Sequence, residues 1–158
     1  MAAKRKTAPR AAGGTGSRVS ARERRPDVIL DVDCEQGSLF LVLRNIGDDL
    51  AGRVSVKFSP DLVGLGGERV VSDATIFRRL AYLSPGKSIR VFLDAAALFF
   101  GRSQEDSFRA REQYRSRSGK QFAETFTHDL GVYRDLPEAG RSEHSAEVRH
   151  SRASGNPD

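Results

Sequence analysis

Apolar side chains recur at every second position in several short runs between Val28 and Val132, with polar residues between them. Val28, Leu30 and Val32 alternate with Ile29, Asp31 and Asp33, which predicts a first strand. After the turn signal Gln36-Gly37-Ser38, Leu39–Leu43 is apolar on both faces, so this second strand is expected to be central in its sheet. Val54, Val56 and Phe58 then alternate with Arg53, Ser55 and Lys57, a strand with one face in the core and one in water. Pro60 ends it, and a long connection follows through Leu65-Gly66-Gly67 to Asp73.

The segment Ile76–Leu83 is ambiguous, with a short strand favoured near 78–83. Ser84-Pro85-Gly86-Lys87 has Pro and Gly placed for a type II β-turn. Ile89, Val91 and Leu93 mark a further strand. Asp94–Gly101 breaks the β pattern: Asp94 can cap a helix, the alanines favour one, and Gly101 can end it, so one or two helical turns are expected. Phe108–Arg115 and Gln121–Tyr133 then form a hairpin across Ser116-Arg117-Ser118-Gly119. About seven short strands with turns every ten residues or so predict an all-β fold, an immunoglobulin-like antiparallel sandwich spanning 27–133.

Both ends lack periodicity, and residues 1–26 and 134–158 are expected to be disordered. Charge is unevenly placed. The chain carries +5, but residues 1–26 hold eight basic residues against the single acid Glu23, which is +7 in the arm and −2 for the remainder. A basic chain of this kind says little about the folded domain itself. No run approaches the roughly 20 apolar residues of a membrane helix. No apolar stretch follows Met-Ala-Ala-Lys-Arg-Lys, so a secretory leader is not expected. One cysteine, Cys34, excludes an internal disulfide and fits a cytoplasmic protein; its place at the end of an apolar run marks it as a small buried hydrophobe.

Leu41–Asp48, followed by Val54–Phe58, resembles the strand, Asn-x-Gly turn and strand of bacterial immunoglobulin-like domains of the cell-adhesion-related type. Leu83–Ser88 is similar to the Leu-x-Pro-Gly turn of the same domains, and Tyr114–Leu130 to the last hairpin of bacterial proteins built this way. The resemblance implies the sandwich fold and adhesive or transport-linked modules that are usually exported; this chain is expected to depart from them in having no leader. The last ten residues, 149–158, resemble a peptide encoded where bacterial reading frames run into dispersed repeat DNA, which implies an accidental tail and a bacterial source.

Candidate chemistry is sparse. His128-Asp129 resembles part of a phosphohydrolase metal set, but alternation on a strand sends the two side chains to opposite faces. Gly64–Glu68 lacks the Lys-Ser/Thr of a phosphate loop and reads as a flexible loop. Glu112 and Glu124 could meet across the terminal hairpin as an acid–base pair. If the turn instead pairs Arg115 with Lys120, Arg111 faces Glu124 in an ordinary charge pair, and this register is favoured. Two basic features stand out. Lys4, Arg5, Lys6, Arg22, Arg24 and Arg25 in the arm could contact phosphates or an acidic partner. Arg109, Arg111 and Arg115 share one strand face as a docking patch for an acidic partner.

The sequence therefore favours a non-enzymatic module that binds an unidentified protein through a sheet face, an edge or a loop, with no cofactor and no metal. A nucleic-acid accessory using the basic arm, and an enzyme built around Glu112, Glu124 or His128, stay open as alternatives.

Overall fold

The computed structural model describes residues 22–136. Of the tails expected at 1–26 and 134–158, residues 1–21 and 137–158, and with them Lys4, Arg5 and Lys6, lie outside the described residues.

The chain folds as an all-β antiparallel sandwich. One sheet has the order β1 (Val28–Glu35), β2 (Ser38–Asn45), β7 (Ser88–Ala95). The other has the order β6 (Leu80–Leu83), β3 (Ala51–Ser59), β8 (Ser107–Arg115), β9 (Gln121–Asp129). A short ribbon of β4 (Val63–Gly64) and β5 (Arg69–Val70) lies in the long connection, followed by α1 (Thr75–Arg78); α2 (Ala96–Gly101) follows β7. β2 is central in its sheet, as its two apolar faces require. The seven longer strands match the expected number. No helix among the described residues is long and apolar enough to cross a membrane.

Inward residues from both sheets close one interior. Leu30, Leu41, Leu43, Val56, Leu83, Leu93, Phe77, Phe99, Phe108 and Tyr114 are buried. Val91 packs against them half-buried, whereas Phe126 is 40% exposed. Phe126 lies on β9, the edge strand of its sheet, which has a neighbour on one side only.

The turns follow the sequence. Gln36 and Gly37 both take positive φ (49° and 73°), the conformation of a two-residue hairpin. Gly86 takes φ 72°, and the Lys87 N–H donates to the Ser84 carbonyl at 3.1 Å. Three expectations need correction. The helical turn begins after Ala95 rather than at Asp94: Asp94 is the penultimate residue of β7, buried, and pairs with Arg102 at 2.6 Å. The Gly64–Glu68 loop is tied down, because the Gly66 N–H donates to Asp94 Oδ1 at 3.1 Å and Gly64 lies against the Leu93 carbonyl, with no room for a Cβ. The last strand stops at Asp129, and Leu130–Tyr133 is a 3-10 turn.

The two motifs that carry the resemblance meet at one end of the sandwich. The Asn45 N–H donates to the Lys87 carbonyl at 3.0 Å, and the Gly86 N–H donates to the Asn45 carbonyl at 2.9 Å. The buried Asn45 side chain uses all its bonding capacity on backbone. Nδ2 donates to the carbonyls of Asp49 (2.8 Å) and Leu83 (2.9 Å), while Oδ1 accepts from the N–H groups of Asp27 and Gly47 (both 3.1 Å). Gly47 permits this closure: a Cβ there would lie 2.4 Å from the Arg25 carbonyl. Asn-x-Gly is thus a structural device that fastens the N-terminal lead-in to two turns.

The free side of edge strand β1 is sealed by side chains. The Leu30 N–H donates to Glu112 Oε1 at 3.2 Å, the Val32 N–H to Asp31 Oδ1 at 2.9 Å, and the Tyr133 hydroxyl to the Val32 carbonyl at 2.8 Å. An edge whose backbone groups are occupied in this way cannot template a further strand.

Candidate functional site

The outer face of the four-stranded sheet gathers a cluster of cations without ion-pair partners among the described residues. On β8 the buried Phe108, Ala110, Glu112 and Tyr114 alternate with outward Arg109, Arg111, Gln113 and Arg115. Register then fixes their neighbours. Arg111 lies between Lys57 on β3 and Thr125 on β9; Arg109 lies between Ser59 and Thr127; Gln113 lies between Ser55 and Ala123. The face is therefore a lattice of cations interleaved with small hydroxyl and amide side chains. Among the described residues, none of Arg53, Lys57, Arg109, Arg111 and Arg115 makes an ion pair.

Arg53 reaches this face through an irregularity. The β3–β8 register slips between Gly52 and Ser55, so that Arg53 and Val54 stand where one residue would. Val54 stays buried, and Arg53 is exposed at φ 50°. A bulge of this kind re-aims a side chain, and a non-glycine residue at positive φ is uncommon and strained. Beside it, Arg53, Gln113, Arg115 and Gln121 line a recess of about 310 Å³ together with Tyr114, Phe122 and Ala123. Gly52, opposite Arg115 in the register, adds no side chain.

The outer face of the three-stranded sheet has the opposite character, because its charges are compensated. Arg44 pairs with Asp31 (3.8 Å) and Asp33 (3.2 Å), and Arg90 pairs with Glu35 (2.6 Å) while lying 3.9 Å above the Phe40 ring.

The sequence-predicted residues fall as follows. Arg109, Arg111 and Arg115 share one face, as their spacing by two required. Arg22, Arg24 and Arg25 are exposed. Arg25 is anchored through its N–H to Asp48 Oδ1 (2.9 Å), and its guanidinium lies 3.9 Å from Glu124 and 5.9 Å from the Phe122 ring centre. Lys57 and Arg53 were not singled out from the sequence. Alternation placed them outward, but only the pairing of β3 with β8 brings them to the other arginines.

The favoured hairpin register is overturned. Arg115 pairs with Gln121, not Lys120, so Glu112 faces Glu124 and Arg111 faces Thr125. Ser116–Lys120 forms the turn, closed by Ser116 N–H to the Lys120 carbonyl at 2.8 Å, with Gly119 at φ 91°. Glu112 points inward and is fully buried, and burial pushes its carboxyl up to about 7. It is covered and engaged with a backbone N–H, which suits a structural clamp better than acid–base work on a substrate.

His128 stacks on Phe108 at 4.8 Å, half-buried, and burial lowers its pKa. Asp129 instead accepts from the Gly131 N–H at 2.8 Å. Among the described residues, no group of three or more His, Cys, Asp or Glu comes together to hold a metal. Cys34 is half-buried against the core, and burial raises its thiol pKa, the reverse of what a nucleophile needs.

Fold and face define a small antiparallel β-sandwich with one compensated and one uncompensated, basic sheet surface. The chain belongs to the family of the domain of unknown function DUF8453, which it matches over residues 2–134. The matched span takes in the basic arm together with the whole sandwich. No curated protein matches the chain.

Proposed function

We propose that this protein is a non-enzymatic, immunoglobulin-like binding module that docks an acidic protein partner on the basic outer face of its four-stranded sheet. The immunoglobulin-like reading is supported by strand order. Counting the seven longer strands alone, the sheets run 1-2-5 and 4-3-6-7, a three-plus-four sandwich of hairpins and crossovers. The observation that carries the docking reading is the set of five cations, Arg53, Lys57, Arg109, Arg111 and Arg115, on one face without a carboxylate partner. Lys57 directly opposite Arg111 costs stability within the isolated fold, and a negative partner relieves that cost.

Shape favours a protein over nucleic acid. Four strands span about 14 Å between outer strand axes, wider than the roughly 12 Å major groove that admits a two-stranded ribbon. The face has one large aromatic at its margin, Tyr82, on the row of Gly52 and Arg115; bases of a single strand need more stacking surface than that. The sealed β1 edge is closed to strand addition.

A photo-crosslinking amino acid placed at Ser55 or Thr125, on this face, is expected to trap a discrete protein adduct in cells that make the protein. The same group at Ser38 or Phe92, on the opposite sheet, is expected to trap none. Adducts from the opposite sheet alone contradict the reading.

A further inference from the structure

Resting on that docking reading, we propose that the recess at the β3 bulge is the anchor of the face. It binds a carboxylate side chain from an extended acidic segment of the partner.

The recess is lined by the long donors Arg53, Arg115, Gln113 and Gln121 together with Tyr114, Phe122 and Ala123, and Gly52, opposite Arg115, adds no side chain beside it. No carboxylate lines it. Two arginines from adjacent strands line it, and a guanidinium offers forked N–H donors matched to a carboxylate, for which arginine outperforms lysine. Its volume of about 310 Å³ sits at the small end of ligand pockets, the scale of a side-chain group rather than a cofactor. The bulge sets Arg53 at the recess: Arg115 faces Gly52, and Arg53 with Val54 stands at the next row, opposite Tyr114, where Arg53 and Arg115 both line the recess.

The rest of the face then reads as a track leading from the anchor. From Arg115 through Gln113 to Arg111 and Arg109, outward positions on β8 repeat about every 6.8 Å. An extended segment laid along β8 presents every second side chain downward at the same repeat. Acidic residues at alternate positions therefore meet Arg115, Arg111 and Arg109 in turn, with Lys57 beside Arg111 and with Ser and Thr hydroxyls between the charges. A helix, with its different side-chain repeat, would match one or two of these positions only.

The test uses the full chain and a fluorescein-labelled decapeptide of alternating Glu and Ser, read by anisotropy, with a ten-nucleotide oligothymidine as the second arm. Arg53→Ala and Arg115→Ala are each expected to weaken peptide binding at least tenfold, and Arg109→Ala, at the far end, by less than threefold. Arg53→Gly, which suits the positive φ, repeats the test should the alanine variant fail to fold. Equal small losses at every cation would overturn the anchor while leaving the face as the docking surface. No peptide binding, or binding unchanged in a Lys57→Glu/Arg111→Glu variant, would overturn both. Tighter binding of the oligonucleotide than of the peptide would overturn the acidic-protein partner.

Discussion

Lys57 and Arg111 stand directly opposite each other across the β3–β8 ladder, both on the solvent side. Like charges in this relationship destabilise a sheet by a few tenths to about 1 kcal/mol. Lys57→Glu converts the repulsion into an attraction. It is expected to raise unfolding free energy by roughly 0.5 kcal/mol in low salt, with the gain shrinking as salt screens it. The same change is expected to abolish partner docking. Urea titrations at two ionic strengths, set beside the binding assay, check the paired outcome.

Arg53 gives a second opposition between stability and function. At φ 50° a side chain is strained and glycine is not. Arg53→Gly is expected to leave unfolding free energy unchanged or raise it by up to about 1 kcal/mol, whereas glycine inside a regular strand weakens it. Denaturant unfolding tests this. A loss above 1 kcal/mol would mean that the arginine supports the fold rather than the surface.

Glu112 makes stability depend on pH. Its folded carboxyl titrates near 7 against an ordinary value of 4.5, because burial disfavours the charged form. The folded state therefore binds the proton more tightly than the unfolded state. Its contribution is complete below pH 4.5 and is lost as pH rises through about 7. The full loss is on the order of 3 kcal/mol. Glu112→Gln keeps an oxygen for the Leu30 N–H and cannot ionise. It is expected to flatten this dependence, so that wild type and variant differ most at pH 8. Urea midpoints at pH 5 and pH 8 measure it.

Asn45→Ala is expected to cost about 3 kcal/mol or more, since four backbone groups lose their partner at once and unmade buried bonds cost about 1–3 kcal/mol each. Gly47→Ala is expected to displace the lead-in at Arg25–Asp27 with little change in the distant Arg109–Arg111 surface. Thermal unfolding of both variants, with peptide binding of Gly47→Ala, separates the structural motif from the docking face.

Much of this was legible in the sequence because it is local. Period-two alternation gave β1, β3, β7 and the outward stripe of Arg109, Arg111 and Arg115. The Asn-x-Gly and Pro-Gly turns showed themselves as turns. What escaped depended on distant pairing. The meeting of Asn45 with Gly86 and Lys87, and of Lys57 with Arg111, follows from which strands become neighbours, and alternation within one strand carries no such information. The hairpin slipped by one residue because Lys120 belongs to the turn, and in an antiparallel pair one residue changes every cross-strand partner. The inward Glu112 was hidden by its residue type. It occupies an apolar position in the pattern Phe108, Ala110, Tyr114, and its partner, the Leu30 N–H, lies 82 residues away. Arg53 was assigned to the outward face correctly, but a bulge leaves no mark in alternation that a regular strand would not also show.

The central claim is that the outer face of the four-stranded sheet receives an acidic segment. Titrating ¹⁵N-labelled protein with the alternating Glu-Ser peptide, and following amide chemical shifts, tests it most directly. The account predicts progressive shifts at Arg53, Ser55, Lys57, Arg109–Arg115 and Thr125, with Asp31, Phe40, Arg90 and Phe92 unmoved. Shifts clustered on β1, β2 and β7, or none at millimolar peptide, would contradict it.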